Sequence, residues 1–324
     1  MATGLTIIDP IKYIKNYSTF NRDSNFPYWI TGFSDAESYF TIRIGTRSNR
    51  NNSLSIIPVF GIELHEKDYD LLKQIQSFFG IGSIIRRIRN GNPSVIYSVQ
   101  SIIDIEKIII PHFKKYPMLT QKQVDFELFC LIIDLMIKKE HLTKDGLSKL
   151  LAIKASMNKG LSENLKKAFP DIIPISRPLI KNQIIANPYW LVGFVDGEGC
   201  FYVKITAKQT ILTFSISQHI RDLALLNIIK IYLNCGVIET VSTRPNQSTF
   251  ITYTFSDNLE KIIPFFKQHS LLSVKSLNFQ DFNQISLYIK NKEHLTSTGL
   301  YKIKILKSRM NSKRSYKSEF SENI

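Results

Sequence analysis

The twelve residues WITGFSDAESYF at 29–40 return at 190–201 as WLVGFVDGEGCF, an offset of 161. A duplication constrains a fold more tightly than any local propensity, because both copies must build the same unit. The correspondence runs on. IIPHFKKYPMLTQKQVDF (109–126) matches IIPFFKQHSLLSVKSLNF (262–279), and KEHLT occurs at 139–143 and 292–296, both at an offset of 153. Between them HEKDYDLL (65–72) parallels HIRDLALL (219–226) at an offset of 154. The matches keep their order. The fall from 161 to 154 gives the first half seven extra residues between Phe40 and His65, in the polar stretch RSNRNNS, which reads as a longer loop on a shared plan.

Within each half the periodicities predict one order of elements. Trp29, Gly32, Phe33 and Ala36 follow the three-and-four spacing of a helix face. Alternating apolar and polar residues follow, in YFTIRI and SIIPVFGIEL and again in FYVKIT and ILTFSIS, as in half-buried strands. A helix, two further strands and long helices complete each half, so the expected plan is αββαββα, twice. Pro170, Pro174, Pro178 and Pro188 disfavour helix between the halves. The expected organisation is an N-terminal extension (1–27), a first domain (28–168), a linker (169–188), a second domain (189–311) and a polar tail (312–324). A chain of 324 residues is long enough for two such cores.

The formal charge is +15, from 42 Lys and Arg against 27 Asp and Glu spread along the chain, which points to a polyanionic partner, nucleic acid first. Cys130, Cys200 and Cys235 are odd in number and lack CxxC spacing, which argues against a disulfide framework or a thiolate zinc site. No apolar run approaches the ~20 residues that span a bilayer, so no membrane partner is expected. The first residues show neither a signal-peptide core nor an Arg-rich presequence. Abundant Ile, Asn and Lys fit coding from AT-rich DNA.

The twin motif carries the chemistry. Gly32 and Ala36, and Gly193 and Gly197, lie four apart, giving each helix a stripe where another backbone can approach. Packing the two helices side by side brings Glu37 and Glu198 together at one end of the seam. Asp35 and Asp196, two positions earlier, lie about 200° round a helix and cannot share that seam equally. Paired carboxylates repel unless a cation lies between them. Such hard oxygen ligands suit Mg²⁺ acting in phosphodiester displacement. Helix capping or salt bridging is the ordinary role of an isolated Asp-x-Glu, and its repetition at matching sites favours the catalytic reading.

On ITGFSDAES and LVGFVDGEG, supported by the repeated KEHLT, the sequence resembles a single-chain LAGLIDADG homing endonuclease of the group carried by fungal mitochondrial introns, over nearly the whole chain. The resemblance implies an α+β fold of two pseudo-symmetric αββαββα repeats, each with a four-stranded antiparallel saddle sheet on the DNA major groove. It implies that Glu37 and Glu198 are the motif acids, with the backbone carbonyls of Ala36 and Gly197 as further metal ligands. The metal expected is Mg²⁺, with Mn²⁺ as a substitute. It also implies a monomer that makes a staggered double-strand break with 3′ overhangs in a long asymmetric DNA site, promotes intron or gene mobility, and resides in mitochondria. A duplicated monomer can diverge in each half, as a non-palindromic target requires.

Strand alternation nominates the readers. With Phe40, Ile42 and Ile44 toward the core, Tyr39, Thr41, Arg43 and Arg47 face outward, as do Tyr202, Lys204, Thr206 and Lys208. Arg86, Arg87, Arg89 and Arg244, near the second hairpins, join the set. Base or phosphate contact and a merely solvated sheet face both remain open for each. Lys122 and Lys275 are repeat-matched before the long helices, suited to steadying transition-state charge or to contacting the phosphate backbone. His65 with His219, and His141 with His294, recur without metal-ligand spacing, and a structural role is favoured.

Two departures from the family pattern carry expectations. Ser38 stands where the family, like Gly199 here, has glycine. A left-handed backbone there would cost serine of the order of 1 kcal/mol. Gly61 stands where related enzymes place a polar side chain, and the second half has Ser215. The alternative function is an RNA-binding intron maturase on the same fold, with intron RNA as partner. Retention of both glutamates speaks against that as the only role. A DNA-binding regulator is a third reading, and it gains nothing from two negative charges beside a phosphate.

Overall fold

The computed structural model describes residues 22–46, 54–89, 91–180, 183–206 and 209–314. The loop RSNRNNS, with Arg47, lies outside the described residues, as do Lys208, the side chain of Arg89, and much of the expected N-terminal extension and C-terminal tail. The first half runs α1 (Arg22–Glu37), β1 (Ser38–Thr46), β2 (Leu54–His65), α2 (Tyr69–Phe79), β3 (Ser83–Arg89) and β4 (Asn92–Val99). Helix α3 (102–115), α4 (Lys122–Ile137), α5 (Lys144–Ala155) and the short α6 (Glu163–Ala168) follow. The second half repeats the order: α7 (Pro188–Glu198), β5 (Gly199–Ile205), β6 (Thr210–His219), α8 (Leu223–Leu233), β7 (Val237–Thr240), β8 (Gln247–Thr252), α9 (255–268), α10 (Lys275–Lys290) and α11 (Ser297–Ser308). Even an irregularity is shared. Helices α3 and α9 each contain a π turn, Ile105–Ile109 and Asn258–Ile262, placed two residues before Pro111 and Pro264, whose rings lack an N–H for a regular helix.

Each half holds one antiparallel four-stranded sheet, ordered β1-β2-β4-β3 and β5-β6-β8-β7. Residues opposite one another share a face, so the register sorts the side chains. Phe40 pairs with Phe60 and Phe60 with Val99, and all are buried toward the helices. Rings from β1, β2 and α3 pack there, with Phe40–Phe60 centroids 5.0 Å apart and Phe40–Phe113 5.4 Å apart. In the second half Phe201–Phe214 and Phe201–Phe266 stand at 4.9 and 5.4 Å. Burying such rings is the main stabilising contribution, about 1.5–3 kcal/mol per fully buried large side chain.

Two left-handed asparagines fix the long helices to the sheets. Asn158 (φ 49°) donates its amide to the Phe40 carbonyl at 2.8 Å, while its own N–H reaches Asp125 on α4 at 2.9 Å. Asn311 (φ 57°) repeats this with Phe201 and Asn278 at 3.0 Å each. Between the halves, the described residues of 169–187 carry neither helix nor strand but are anchored, Arg177 to Asp125 at 2.8 Å and Ile185 in the core. Pro188 opens α7, where its missing N–H is harmless, behind Asn187, whose side chain accepts from Tyr189 N at 2.8 Å. No helix among the described residues is long and apolar enough to cross a membrane.

Candidate active site

Helices α1 and α7 lie against each other and are buried almost all round, from Trp29 to Asp35 and from Trp190 to Asp196. Their approach needs glycine. A Cβ on Gly32 would fall on the carbonyl of Trp190, and one on Gly193 on the carbonyl of Trp29. The aspartates lock the pair. Trp29 donates its indole N–H to Asp196 at 2.8 Å, and Trp190 donates to Asp35 at 2.9 Å. Asp35 also accepts from Leu119 N (2.7 Å), Thr120 N (3.1 Å) and the Thr120 hydroxyl (2.7 Å). Asp196 does the same with Leu272 N, Ser273 N and the Ser273 hydroxyl. These two acids are therefore committed to structure, and each ties its own half to the other. Burial pushes Asp35 up to about 6 against the pull of its donors, and raises Asp196 as well.

Glu37 and Glu198 end the two helices and lie half-buried at the same end of the seam. A Cβ on Gly197 would lie 2.2 Å from the Ala36 methyl and 3.3 Å from Glu37 Oε1, so the glycine leaves room first for Ala36 and then for that carboxylate. Burial raises both acids. For Glu198 a hydrogen bond from Gln218 opposes the rise, and the charge of Glu37 adds to it. Asp68 lies in the same electrostatic field, raised to about 6 by burial, with Asp196 and Glu37 adding to the rise. Its repeat counterpart Asp222 is engaged across the halves, accepting from Gln121 N at 2.8 Å.

The two candidate lysines reach back under the helix ends. Lys122 Nζ donates to the carbonyls of Ser34 (2.8 Å) and Ala36 (3.2 Å), and Lys275 Nζ to those of Val195 (2.9 Å) and Gly197 (2.7 Å). Burial lowers Lys122 to about 8, with Asp35 and the motif glutamates resisting, and lowers Lys275 in the same way. The carbonyls expected to face a metal thus already meet a cation, one from each half.

A divalent cation fits this donor set. Two desolvated, mutually repelling carboxylates with carbonyl oxygens beside them form a hard, electron-rich site. Among the described residues no group of three or more His, Cys, Asp or Glu is placed to hold an ion unaided. The remaining ligands of such an ion would be phosphate oxygens and water, the usual manner of Mg²⁺.

Both departures at the motif have steric explanations. Gly199 is extended (φ −73°, ψ 148°), and Ser38 is not among the residues with positive φ, so the expected left-handed cost does not arise. What differs is the residue one turn back. A Cβ on Gly199 would lie 2.5 Å from Val195 Cγ1, whereas Ser38 follows the smaller Ser34 and donates its hydroxyl to the Ser34 carbonyl at 2.7 Å. Gly61 sits opposite Tyr39, and a Cβ there would be 2.5 Å from the Tyr39 ring. The ring fills the space that a polar side chain would need. In the second half the matching pair is the smaller Cys200 and Ser215.

Register places the candidate readers. Tyr39, Thr41 and Arg43 share the face turned away from the helices with Glu63, His65 and Arg87, and Arg87 pairs with Glu63 at 2.7 Å. Arg86 departs from expectation. Neighbours on a strand point oppositely, so Arg86 turns to the helix side, 3.8 Å over the Tyr69 ring and 2.6 Å from Glu66. In the second sheet Tyr202 and Lys204 hold the outer face, while the Thr206 hydroxyl is engaged with Gln209 in the turn beyond β5. Arg244 lies in the β7–β8 loop and lines a cavity with Glu198. His65 and His219 cap short 3₁₀ turns. Sequence reasoning missed the indole–aspartate bonds and Gln218. The former had a signal in the shared offset of Trp and Asp, and the latter had none, because Leu64 stands at its place in the first half.

The model of the family described as LAGLIDADG endonuclease matches residues 30–133 and 191–286, beginning inside each paired helix. Probable intron-encoded endonuclease 2 of Neurospora crassa is 37% identical over 92% of this chain and 68% of its own length. Probable intron-encoded endonuclease 3 of the same fungus is 34% identical over 91% of this chain, which spans 56% of that protein. Among solved structures, I-SmaMI bound to uncleaved DNA target in the presence of calcium ions superposes with a TM-score of 0.83 at 41% identity, over 88% of this chain and 98% of that one. I-GzeII, described as a LAGLIDADG homing endonuclease in complex with DNA target, gives 0.83 at 38% identity, over 89% and 99%. With matched segments covering more than half of its length and both acid-bearing helices, the chain belongs to the LAGLIDADG endonuclease family.

Proposed function

We propose that this protein is a site-specific DNA endonuclease that hydrolyses one phosphodiester in each strand of a long asymmetric duplex site, as a monomer, and so promotes mobility of the intron or gene that encodes it. The observation that carries the reading is the pairing of Glu37 and Glu198 where α1 meets α7, each with a lysine from its own half behind it. Two outer sheet faces with different side chains flank that centre, which suits a target whose halves differ. The solved relatives bound to DNA, one of them with calcium ions, support duplex DNA and a divalent metal. The intron-encoded relatives of fungi support mobility, and a relative described as a mitochondrial protein of Saccharomyces cerevisiae supports a mitochondrial setting. No specific observation favours the RNA-binding alternative.

In this reading Glu37 and Glu198, with the carbonyls of Ala36 and Gly197, hold Mg²⁺, or Mn²⁺ in its place, which supplies charge stabilisation and an activated water when bound. Lys122 and Lys275 keep those carbonyls oriented and add positive charge beneath the scissile phosphates. Gln218 orients the Glu198 carboxylate. Arg43, Arg87, Lys204 and Arg244 supply contacts to bases and phosphates. The product is a staggered break with 3′ overhangs.

The test is to incubate the protein and its Glu198→Gln variant with a plasmid library of randomised sites in Mg²⁺ and to sequence the cut ends. Staggered double-strand breaks at one recurrent site, made by the parent and absent with the folded variant, are the expected result. Folded parent protein that cuts no member of a broad library would overturn the proposal.

A further inference from the structure

We propose that His219, with Arg244, forms a binding subsite for a DNA backbone phosphodiester beside Glu198, and that His65 is the corresponding donor in the first half. The inference rests on the endonuclease reading and assigns the histidines a role beyond capping.

At the end of β6 His219 is extended (φ −62°, ψ 146°), and its Nδ1 accepts the Arg221 N–H at 3.2 Å. His65 repeats the arrangement at the end of β2, with φ −68°, ψ 149° and the Lys67 N–H at 3.2 Å. A nitrogen that accepts a backbone N–H carries no proton of its own, so the ring proton is on Nε2, pointing away from the capped turn. Both rings are exposed, and both stand on the outer sheet face, His65 opposite Ser94 and His219 opposite Gln247. A cap alone needs only a short acceptor such as Asn, Asp or Ser. Capping therefore leaves unexplained why a long side chain with a second, outward donor occurs in both halves.

The surroundings of His219 indicate what that donor meets. A cavity of about 540 Å³ opens beside it, lined also by Glu198, Gln218, Arg244, Asn246 and Gln247. Besides Glu198, the lining offers cationic and amide donors. Asp222, whose charge reaches His219, is buried and already engaged by Gln121 N at 2.8 Å and by the Arg221 guanidinium at 3.7 Å. The β7–β8 turn that presents Arg244 is closed by Arg244 N on Val241 O (2.8 Å) and Gln247 N on Arg244 O (3.0 Å). Anion donors and a motif acid lining one cavity match a DNA strand that is held at one phosphate and cut at a neighbouring one.

The experiment separates donor from cap. His219→Asn keeps a capping oxygen and removes the outward N–H, whereas His219→Ala removes both. On the duplex site cut by the parent, phosphates are replaced one at a time by uncharged methylphosphonate, and binding is measured for parent and variants. The proposal expects His219→Asn to bind about tenfold more weakly with unchanged thermal melting. At one phosphate near the cut, methylphosphonate should weaken the parent but not the variant. Arg244→Gln should lower the salt dependence of log K by about one. If the parent cuts normally and every methylphosphonate affects parent and His219→Asn alike, the subsite is wrong and the endonuclease reading stands. If the parent binds and cuts no duplex, both fail.

Discussion

The indole N–H of Trp29, in the first half, lies 2.8 Å from Oδ2 of Asp196 in the second, and Trp190 returns the bond to Asp35 at 2.9 Å. The halves are thus held together by groups two and eight residues before the motif glutamates. Trp29→Phe keeps most of the apolar surface and removes one buried hydrogen bond to a charged group. It should cost about 1.5–3 kcal/mol, read as a lower urea midpoint. An unchanged midpoint would mean that the bond contributes nothing to the assembly.

The seam between α1 and α7 leaves no room for a methyl group. Gly32→Ala and Gly193→Ala place a Cβ on a backbone carbonyl, which cannot move aside as a flexible side chain can, and each should cost at least about 1–3 kcal/mol. Gly45→Ala has nothing within 4 Å of its Cβ and should stay within about 0.5 kcal/mol. Equal melting temperatures for all three would contradict the packing.

Ser38 and Gly199 are matched to the residues one turn before them. Ser38→Gly should lower stability by about 0.5–1 kcal/mol, since it loses a hydrogen bond and restricts the chain less without relieving strain. Gly199→Ser should be poorly tolerated against Val195 and should cost less in a Val195→Ser background. A double-mutant cycle measures the coupling, and additive effects would remove the explanation.

If Glu37 and Glu198 hold a metal as proposed, protons compete with it there. Burial raises Glu37 and Glu198, so cleavage should fail on acidification at a higher pH than for ordinary carboxylates, and more Mg²⁺ should move that limb to lower pH. Stability without metal runs the other way. Asp35, raised from 3.8 to about 6, binds its proton more tightly folded than unfolded. Its contribution is present below about pH 4 and lost as pH rises through 6. Asp68, also raised to about 6, acts in the same sense. Relative to an Asp35→Asn variant, metal-free parent protein should therefore gain melting temperature on going from pH 7 to pH 5, a comparison that scanning calorimetry makes directly, and one in which buried His112, lowered to about 3 and acting in the opposite sense, is common to both proteins.

The duplication made the architecture legible, because matched strings at offsets of 161, 154 and 153 set the element order in both halves at once. It also placed Glu37 and Glu198, since helix periodicity carries a residue's position along a seam. The facing of Arg86 was not legible: it depends on the pairing of β3 through β4, which is a non-local fact. The partners of Asp35 and Asp196 come from the opposite helix and from turns more than 70 residues away, and periodicity cannot supply them. The glycine at the end of the motif suggested a left-handed backbone, but the structure shows a steric requirement set by Val195.

The most direct test of the central claim is cleavage of a supercoiled plasmid carrying the identified site by the parent and by Glu37→Gln, Glu198→Gln and the double variant, with DNA binding measured alongside. The account predicts that every variant still binds the site, and that neither the single variants nor the double variant produces linear DNA where the parent linearises the plasmid. Linear product from the double variant at the parental rate would contradict it.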